Sequence, residues 1–199
     1  MSNPLISILI PIYGRGKLYL DQLLQSIKEQ TYKHIEILTH EQEGAAASMN
    51  YLLDCAAGDI IKPMFQDDYF IRKDSLEKFA KIEGWGVCTS KHTNERGDHL
   101  PYFNHDLYSH DRGLAEGCNT YGCPSAVAWK RSDLRFDESL TWLFDCEFYT
   151  RLIEQYGQPS IVDTSVMIRE WDGMATRSIP GAVVLQEREY VSKKYEQSR

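Results

Sequence analysis

A chain of 199 residues with 42% apolar composition can bury one proper core, so a single domain is its natural size. Its 22 Lys and Arg against 29 Asp and Glu leave a net charge of -7, which excludes a general nucleic-acid-binding surface. Any anionic ligand must therefore be met by a local cluster or by metal ions.

Residues 5–12, "LISILIPI", are rich in Ile and bounded by Pro11 and Gly14, the pattern of a strand buried on both faces in a helix-covered sheet. Leu20, Leu23, Leu24 and Ile27 then recur at helical spacing between Lys17 and Gln30, and "HIEILTH" reads as a second strand. "GAAASMNYLLDCAAGD" predicts a helix, "IIKPMF" a third strand in which Pro63 points to an irregular or edge position, "KDSLEKFAKI" a helix and "WGVCTSK" a fourth strand. From about Thr93 to Gly122 the periodicity fails, and a long irregular loop of this kind is expected to be functional, ordering when an acceptor binds. "SAVAWKRS" restores a short strand, "WLFDCEFYTRLIEQYG" a helix ending at Gly157, and "PSIVDTSVMIREW" one more strand. A charged, amphipathic helix from Val183 to Arg199 closes the chain, free to pack on the domain, on a second copy or on a membrane surface.

The five cysteines, Cys55, Cys88, Cys118, Cys123 and Cys146, are odd in number and lack a CxxC pair, which favours reduced thiols over a disulfide frame or a zinc site. His92, His99, His105 and His110 fall in or beside the irregular loop without a paired helical spacing and read as solvated residues. No basic region precedes the N-terminal apolar run, and "PLISILIPIY" is too short to span a bilayer, so the expectation is a soluble, cytoplasmic protein. "YGRGK" is not a phosphate loop, because Pro11 and Leu18 hold the places where that motif needs a Gly and a Ser or Thr.

The third strand runs into "QDDYF", two adjacent acids at a place where α/β sheets bind ligands, beyond the carboxyl ends of parallel strands. A divalent cation would supply the positive charge that Asp67 and Asp68 lack, whereas the ordinary use of such a pair is a turn or a cap. The ordered series "SILIPIYGR", "GAAASMNYLLDCAAGDIIKPMFQDDYF" and "GCPSAVAWKRSDLRFDESLTWLFDCEFYTRL" resembles a family 2 glycosyltransferase of the GT-A fold. The resemblance covers positions 6 to about 152 and implies a mostly parallel, Rossmann-like central sheet flanked by helices in one domain. It also implies a division into a nucleotide-sugar-binding half (1–92), an acceptor-binding and catalytic half (93–182) and a helical tail (183–199).

Carried over by position, the resemblance places Pro11, Ile12, Tyr13 and Arg15 around a nucleotide, Asn50 on the donor-site helix, and Asp68 on Mn²⁺ or Mg²⁺, with Asp67 beside it as ribose or outer contact. It implies that Asp145 is the general base, with Glu147 as its rival, while Asp137 and Glu138 shape the turn before it. Gly122, Pro124 and Ser125 would line an acceptor pocket, and Trp171 and Arg177 would close over sugar and diphosphate. The chain departs from the family where His40 or Glu41 stands in for a base-reading aspartate at the end of the second strand, and where Phe65 replaces another acid. The activity implied is inverting, metal-dependent transfer of a sugar from a nucleotide-sugar, UDP-type, to a hydroxyl on a glycan or lipid-linked acceptor, as in polysaccharide biosynthesis. Peripheral membrane association is compatible with it, and oligomeric state is open. A noncatalytic nucleotide-sugar or glycan-binding protein and a metal-dependent nucleotidyltransferase are the alternatives.

Overall fold

The structure, a computed structural model, describes residues 3–100, 113–114 and 117–196. In chain order it contains β1 (Ile6–Ile12), α1 (Leu20–Lys28), β2 (Ile35–Glu41), α2 (Ala45–Cys55), β3 (Ile60–Pro63), β4 (Tyr69–Phe70), α3 (Ser75–Phe79), β5 (Trp85–Asn94) and β6 (His99–Leu100). After these come β7 (Val127–Lys130), α4 (Phe144–Tyr156), β8 (Ser160–Glu170), α5 (Ala175–Ser178) and α6 (Gly181–Glu196).

All seven residues of β1 are buried, and the alternation of strand side chains divides them between two cores. Ile6, Ile8, Ile10 and Ile12 point to the face covered by Leu23 and Ile27 of α1 and Leu76 and Phe79 of α3. Leu9, joined by Ile61 of β3, points to the other face, under Met49, Leu52 and Leu53 of α2 and Phe148 and Leu152 of α4. The result is a sheet between two helical layers, the arrangement expected of alternating strands and helices. Truncating one of the fully buried side chains, such as Leu52, would cost about 2–5 kcal/mol.

The sheet runs β2-β1-β3-β7-β5-β8-β4, with β6 paired to β5. It is mixed, not purely parallel: the long pairings β1–β2, β1–β3 and β5–β8 are parallel, whereas the short ones β3–β7, β5–β7, β4–β8 and β5–β6 are antiparallel. β7 runs against both of its neighbours. Strand β5 continues two residues past the point where periodicity fails, and Asn94 closes a turn to β6 through bonds to Arg96 N, Asp98 N and the Asp98 carboxylate. The rest of the irregular loop, with His105 and His110 and its expected ordering by acceptor, lies outside the described residues in 101–112 and 115–116. Of the other two histidines, His99 is exposed on β6, whereas His92 is buried in β5 and paired with Glu170 at 2.9 Å.

The first helix starts later than its apolar spacing predicts, because Gly14–Tyr19 form a tight 3-10 turn ahead of α1. Gly14 adopts φ +54°, and a Cβ on Gly16 would stand 2.3 Å from Gln66 Nε2, so this bend needs glycine at both places. The C-terminal helix packs on the domain: Val191 is fully buried, and the Glu187 carboxylate accepts from the N–H groups of Thr141, Trp142 and Leu143 at 2.7–2.9 Å. Those donors lie at the start of α4, where backbone N–H groups lack helical acceptors. No helix of the described residues is long and apolar enough to cross a membrane.

Candidate active site

The parallel strands β1, β2 and β3 end on one side of the sheet, and the segments leaving them form its mouth. Gln66 ties two of these segments together as if it were an extra strand residue. Its Oε1 accepts from Tyr13 N at 3.1 Å and its Nε2 donates to Tyr13 O at 2.5 Å. The Tyr13 ring is thereby held at the surface, 52% exposed, with Arg15 exposed beside it. Pro11 and Ile12 are core residues instead, and the Ile12 carbonyl already accepts from Gln42 N at 3.3 Å. On the β2 side Glu41 pairs with Lys17 at 2.6 Å, and His40 stacks on Tyr51 with ring centroids 3.9 Å apart.

The two adjacent acids point in different directions. Asp68 is only 4% exposed and faces inward, accepting from Arg169 N at 3.3 Å and from the Ser125 hydroxyl. Behind it the Lys62 ammonium, 0% exposed, donates to the carbonyls of Pro63 at 2.9 Å and Ser125 at 2.5 Å and sits over the Phe79 and Phe70 rings. Burial pushes that ammonium down to about 8. Asp67 lies nearer the surface and accepts from the Trp171 indole Nε1 at 2.7 Å. Burial raises both carboxyls above their ordinary range, Asp68 the further because the Asp67 charge adds to it. Lys62 and Arg169 act on the pair from nearby, but among the described residues neither carboxylate is in a direct ion pair, an arrangement that fits a divalent cation completed by substrate phosphate and water. The described residues hold no group of three His, Cys, Asp or Glu placed to ligate a metal, so Asp67 and Asp68 are the donors available. Of the two, Asp68, to which the family resemblance assigns the metal, is the more buried, and Asp67 lies nearer the surface.

Asp145 opens helix α4 in its first turn. Asn119 donates to its Oδ2 at 2.8 Å and Cys146 N to its Oδ1 at 2.7 Å, and burial pushes the carboxyl up to about 6. A carboxylate at that value takes up and releases protons near neutrality. Asn119 also donates to the Gly122 carbonyl at 2.9 Å, and Tyr149 bonds the same oxygen at 3.2 Å. One segment thus touches both acidic centres, Asn119 at Asp145 and Ser125 at Asp68, and its backbone can span no more than about 20 Å.

Several residues expected in the site are not there. Glu147 is 0% exposed on the opposite side of α4, paired with Arg151 at 2.5 Å and Lys194 at 2.9 Å and bonded by the Tyr195 hydroxyl at 3.0 Å. Two residues along a helix turn a side chain by about 200°, which separates it from Asp145. Gly122, Pro124 and Ser125 are buried, so they brace the acids rather than line a pocket. Asn50 spends its whole amide on Phe136 N and O and on the Glu138 carboxylate, pinning that turn to α2. Asp137, expected to shape the turn before α4, accepts there from Ser139 and is tied to α6 by Tyr190 and Lys194. Arg177, exposed on α5, pairs with Asp172 at 2.8 Å and Glu170 at 3.5 Å. Two surface clefts of 290 and 270 Å³, beside Lys78–Ile82 of the α3 region and beside Gln22–Gln30 of α1, touch neither Asp67 nor Asp145.

Lys62, Gln66, Asn119 and Arg169 escaped the sequence reading. Lys62 alone had a visible signal, a cation in the middle of a strand otherwise apolar on both faces.

No family model matches the sequence, and no curated protein does. Among solved structures the chain is similar to TarS residues 1–349 of S. aureus in complex with UDP-GlcNAc, at TM-score 0.66 and 15% identity, covering 96% of this chain and 71% of that one. It is similar to a crystal structure of S. aureus TarS of which it covers 43%, at TM-score 0.61 and 15% identity, with 96% of this chain matched. It is also similar to mannosyltransferase PcManGT from Pyrobaculum calidifontis in complex with GDP-Man and Mn²⁺, at TM-score 0.60 and 16% identity, covering 84% of this chain and 57% of that one. The chain therefore has the GT-A fold of these glycosyltransferases.

Proposed function

We propose that the protein is an inverting, metal-dependent glycosyltransferase that moves a sugar from a nucleotide-sugar to a hydroxyl acceptor. The observation that carries this reading is the segment from Asn119 to Ser125, which braces a carboxylate tuned to about 6 at one end and, at the other, two acids with no direct ion pair among the described residues. The ligands named with similar structures, UDP-GlcNAc in one and GDP-Man with Mn²⁺ in another, support the same chemistry.

Asp145 accepts the proton of the acceptor hydroxyl as its oxygen bonds the anomeric carbon, and the bond to the nucleotide diphosphate breaks on the opposite face. Asp67, backed by Asp68, would hold Mn²⁺ or Mg²⁺, which supplies positive charge for the leaving diphosphate. Tyr13 and Arg15 present a ring and a guanidinium to the base and phosphates, and the His40–Tyr51 stack with Glu41 forms the edge where a base is read. In this reading residues 1–92 bind the donor, residues 93–182 bind a glycan or lipid-linked acceptor, and residues 183–199 brace the catalytic helix. It suits a cytoplasmic enzyme of polysaccharide biosynthesis working at a membrane surface.

A noncatalytic nucleotide-sugar-binding protein is the second reading, favoured by Phe65 in place of an acid and by the indole cap on Asp67. Thermal shift against UDP, GDP, UDP-GlcNAc and GDP-Man, with Mn²⁺ and with chelator, tests the proposal. A rise in melting temperature that needs Mn²⁺ and is lost in Asp67→Asn is expected, followed by transfer to an acceptor. A rise that chelator leaves intact would sink the metal-dependent mechanism, and donor binding without transfer or hydrolysis would favour the second reading.

A further inference from the structure

Trp171 leaves the end of β8 and turns inward, 6% exposed, instead of reaching over a cleft. Its indole N–H meets Asp67 Oδ2 at 2.7 Å, and its ring stands edge-on to Tyr19 at 5.5 Å and 68°. The seat beneath it is firm, because Tyr19 carries the Arg169 guanidinium on its face at 4.4 Å and donates its hydroxyl to Glu95 at 2.7 Å. The lid over the ring is as specific. A Cβ on Gly173 would lie 2.0 Å from the indole, so the chain folds back across Trp171 only because residue 173 has no side chain. The same turn leads into α5, where Arg177 is held by Asp172 and Glu170.

An N–H donor and a divalent cation both seek the electron pairs of a carboxylate oxygen, and each carries positive charge that repels the other. We propose that Trp171 is a gate on the acid turn, its indole N–H competing with the cation of a metal–nucleoside diphosphate for Asp67. This rests on the reading of Asp67 as the cation-holding carboxylate.

The test is Mn²⁺ affinity in the presence of UDP or GDP, measured from free Mn²⁺ by electron paramagnetic resonance, together with indole emission. Trp171→Phe keeps an aromatic ring against Tyr19 and removes only the donor, and should bind Mn²⁺ about tenfold more tightly, the worth of one hydrogen bond to a charged group. Gly173→Ala, which pushes the indole off its seat while keeping it in the chain, should tighten binding in the same direction. The wild type should show a Mn²⁺-dependent change of emission that Trp171→Phe lacks. Equal or weaker binding by both variants, with Asp67→Asn impaired, would overturn the gate and leave the metal assignment standing. Unchanged binding by Asp67→Asn would overturn the metal assignment itself, and the gate with it.

Discussion

Two pairs of neighbouring acids organise this molecule, and they are balanced in different ways. In α4, Glu147 is sealed inside with two cations, Arg151 and Lys194, within 3 Å, while Asp145 is bonded by the Asn119 amide and the Cys146 N–H. In the turn after β3, Asp68 is sealed in with backbone and hydroxyl donors and the nearby Lys62, and Asp67 meets an indole. The helix neutralises its inner acid from within the protein, and the outer one is the base of the proposed reaction. In the turn Lys62 and Arg169 lie near the acids without a direct ion pair to either, and an external cation would supply that contact. Buried carboxylates are thus used once as scaffold and once as demand for a ligand.

The largest effect that can break this comparison is at Asp145. Asp145→Asn should lower transfer by about a thousandfold while leaving donor affinity unchanged by calorimetry, because only the proton acceptor is lost. An equal loss of both would make Asp145 a second scaffold acid. Glu147→Gln should do the reverse, destabilising the fold by about 3 kcal/mol in denaturant titrations by leaving Arg151 and Lys194 without their buried counter-charge. Transfer measured well below the melting temperature should survive it, and its loss would place Glu147 in the chemistry. Glu187→Gln, which weakens the cap on the start of α4, should cost about 1–2 kcal/mol by the same titration. A smaller loss would mean that α6 is held by its apolar contacts alone.

The pH dependence sharpens the contrast further. Burial lifts the Asp145 carboxyl from 3.8 to about 6, so below that value it holds a proton and cannot accept one. The rate should therefore fall by about tenfold per pH unit below about 6, and a pH–rate profile reads it directly. The same shift gives the native state more bound protons than the unfolded chain between these values. Its contribution to stability is present at low pH and is lost as pH rises through about 6. Asp145→Asn should remove that dependence from the melting curve.

The alternation of strands and helices was legible because it rests on local patterns. The Ile-rich, buried β1, the small-residue helix α2 and the Gly157 stop of α4 announce themselves within a dozen residues. Strands β4 and β6 have two residues each, too few for a period, and the antiparallel insertion of β7 leaves no mark in its own sequence. The site divided along the same line. Asp67, Asp68 and Asp145 lie at element ends that pattern locates, but which acid of each pair faces outward is decided by residues far away in the chain. For Glu147 these are Lys194 and Tyr195, and for Asp67 it is Trp171. Asn50 misled for a related reason, since its partners Phe136 and Glu138 lie more than eighty residues downstream.

β7 has one further consequence. Drawn from the second half of the chain, it is the slat between β3 and β5, both of which belong to the first half. A fragment ending at residue 92 would present two raw sheet edges where β7 belongs, and strands with unpaired edges invite assembly with other chains. Completing the sheet requires contacts distant in sequence, Ile60 with Lys130 and Val87 with Val127, and pairings of that kind slow folding.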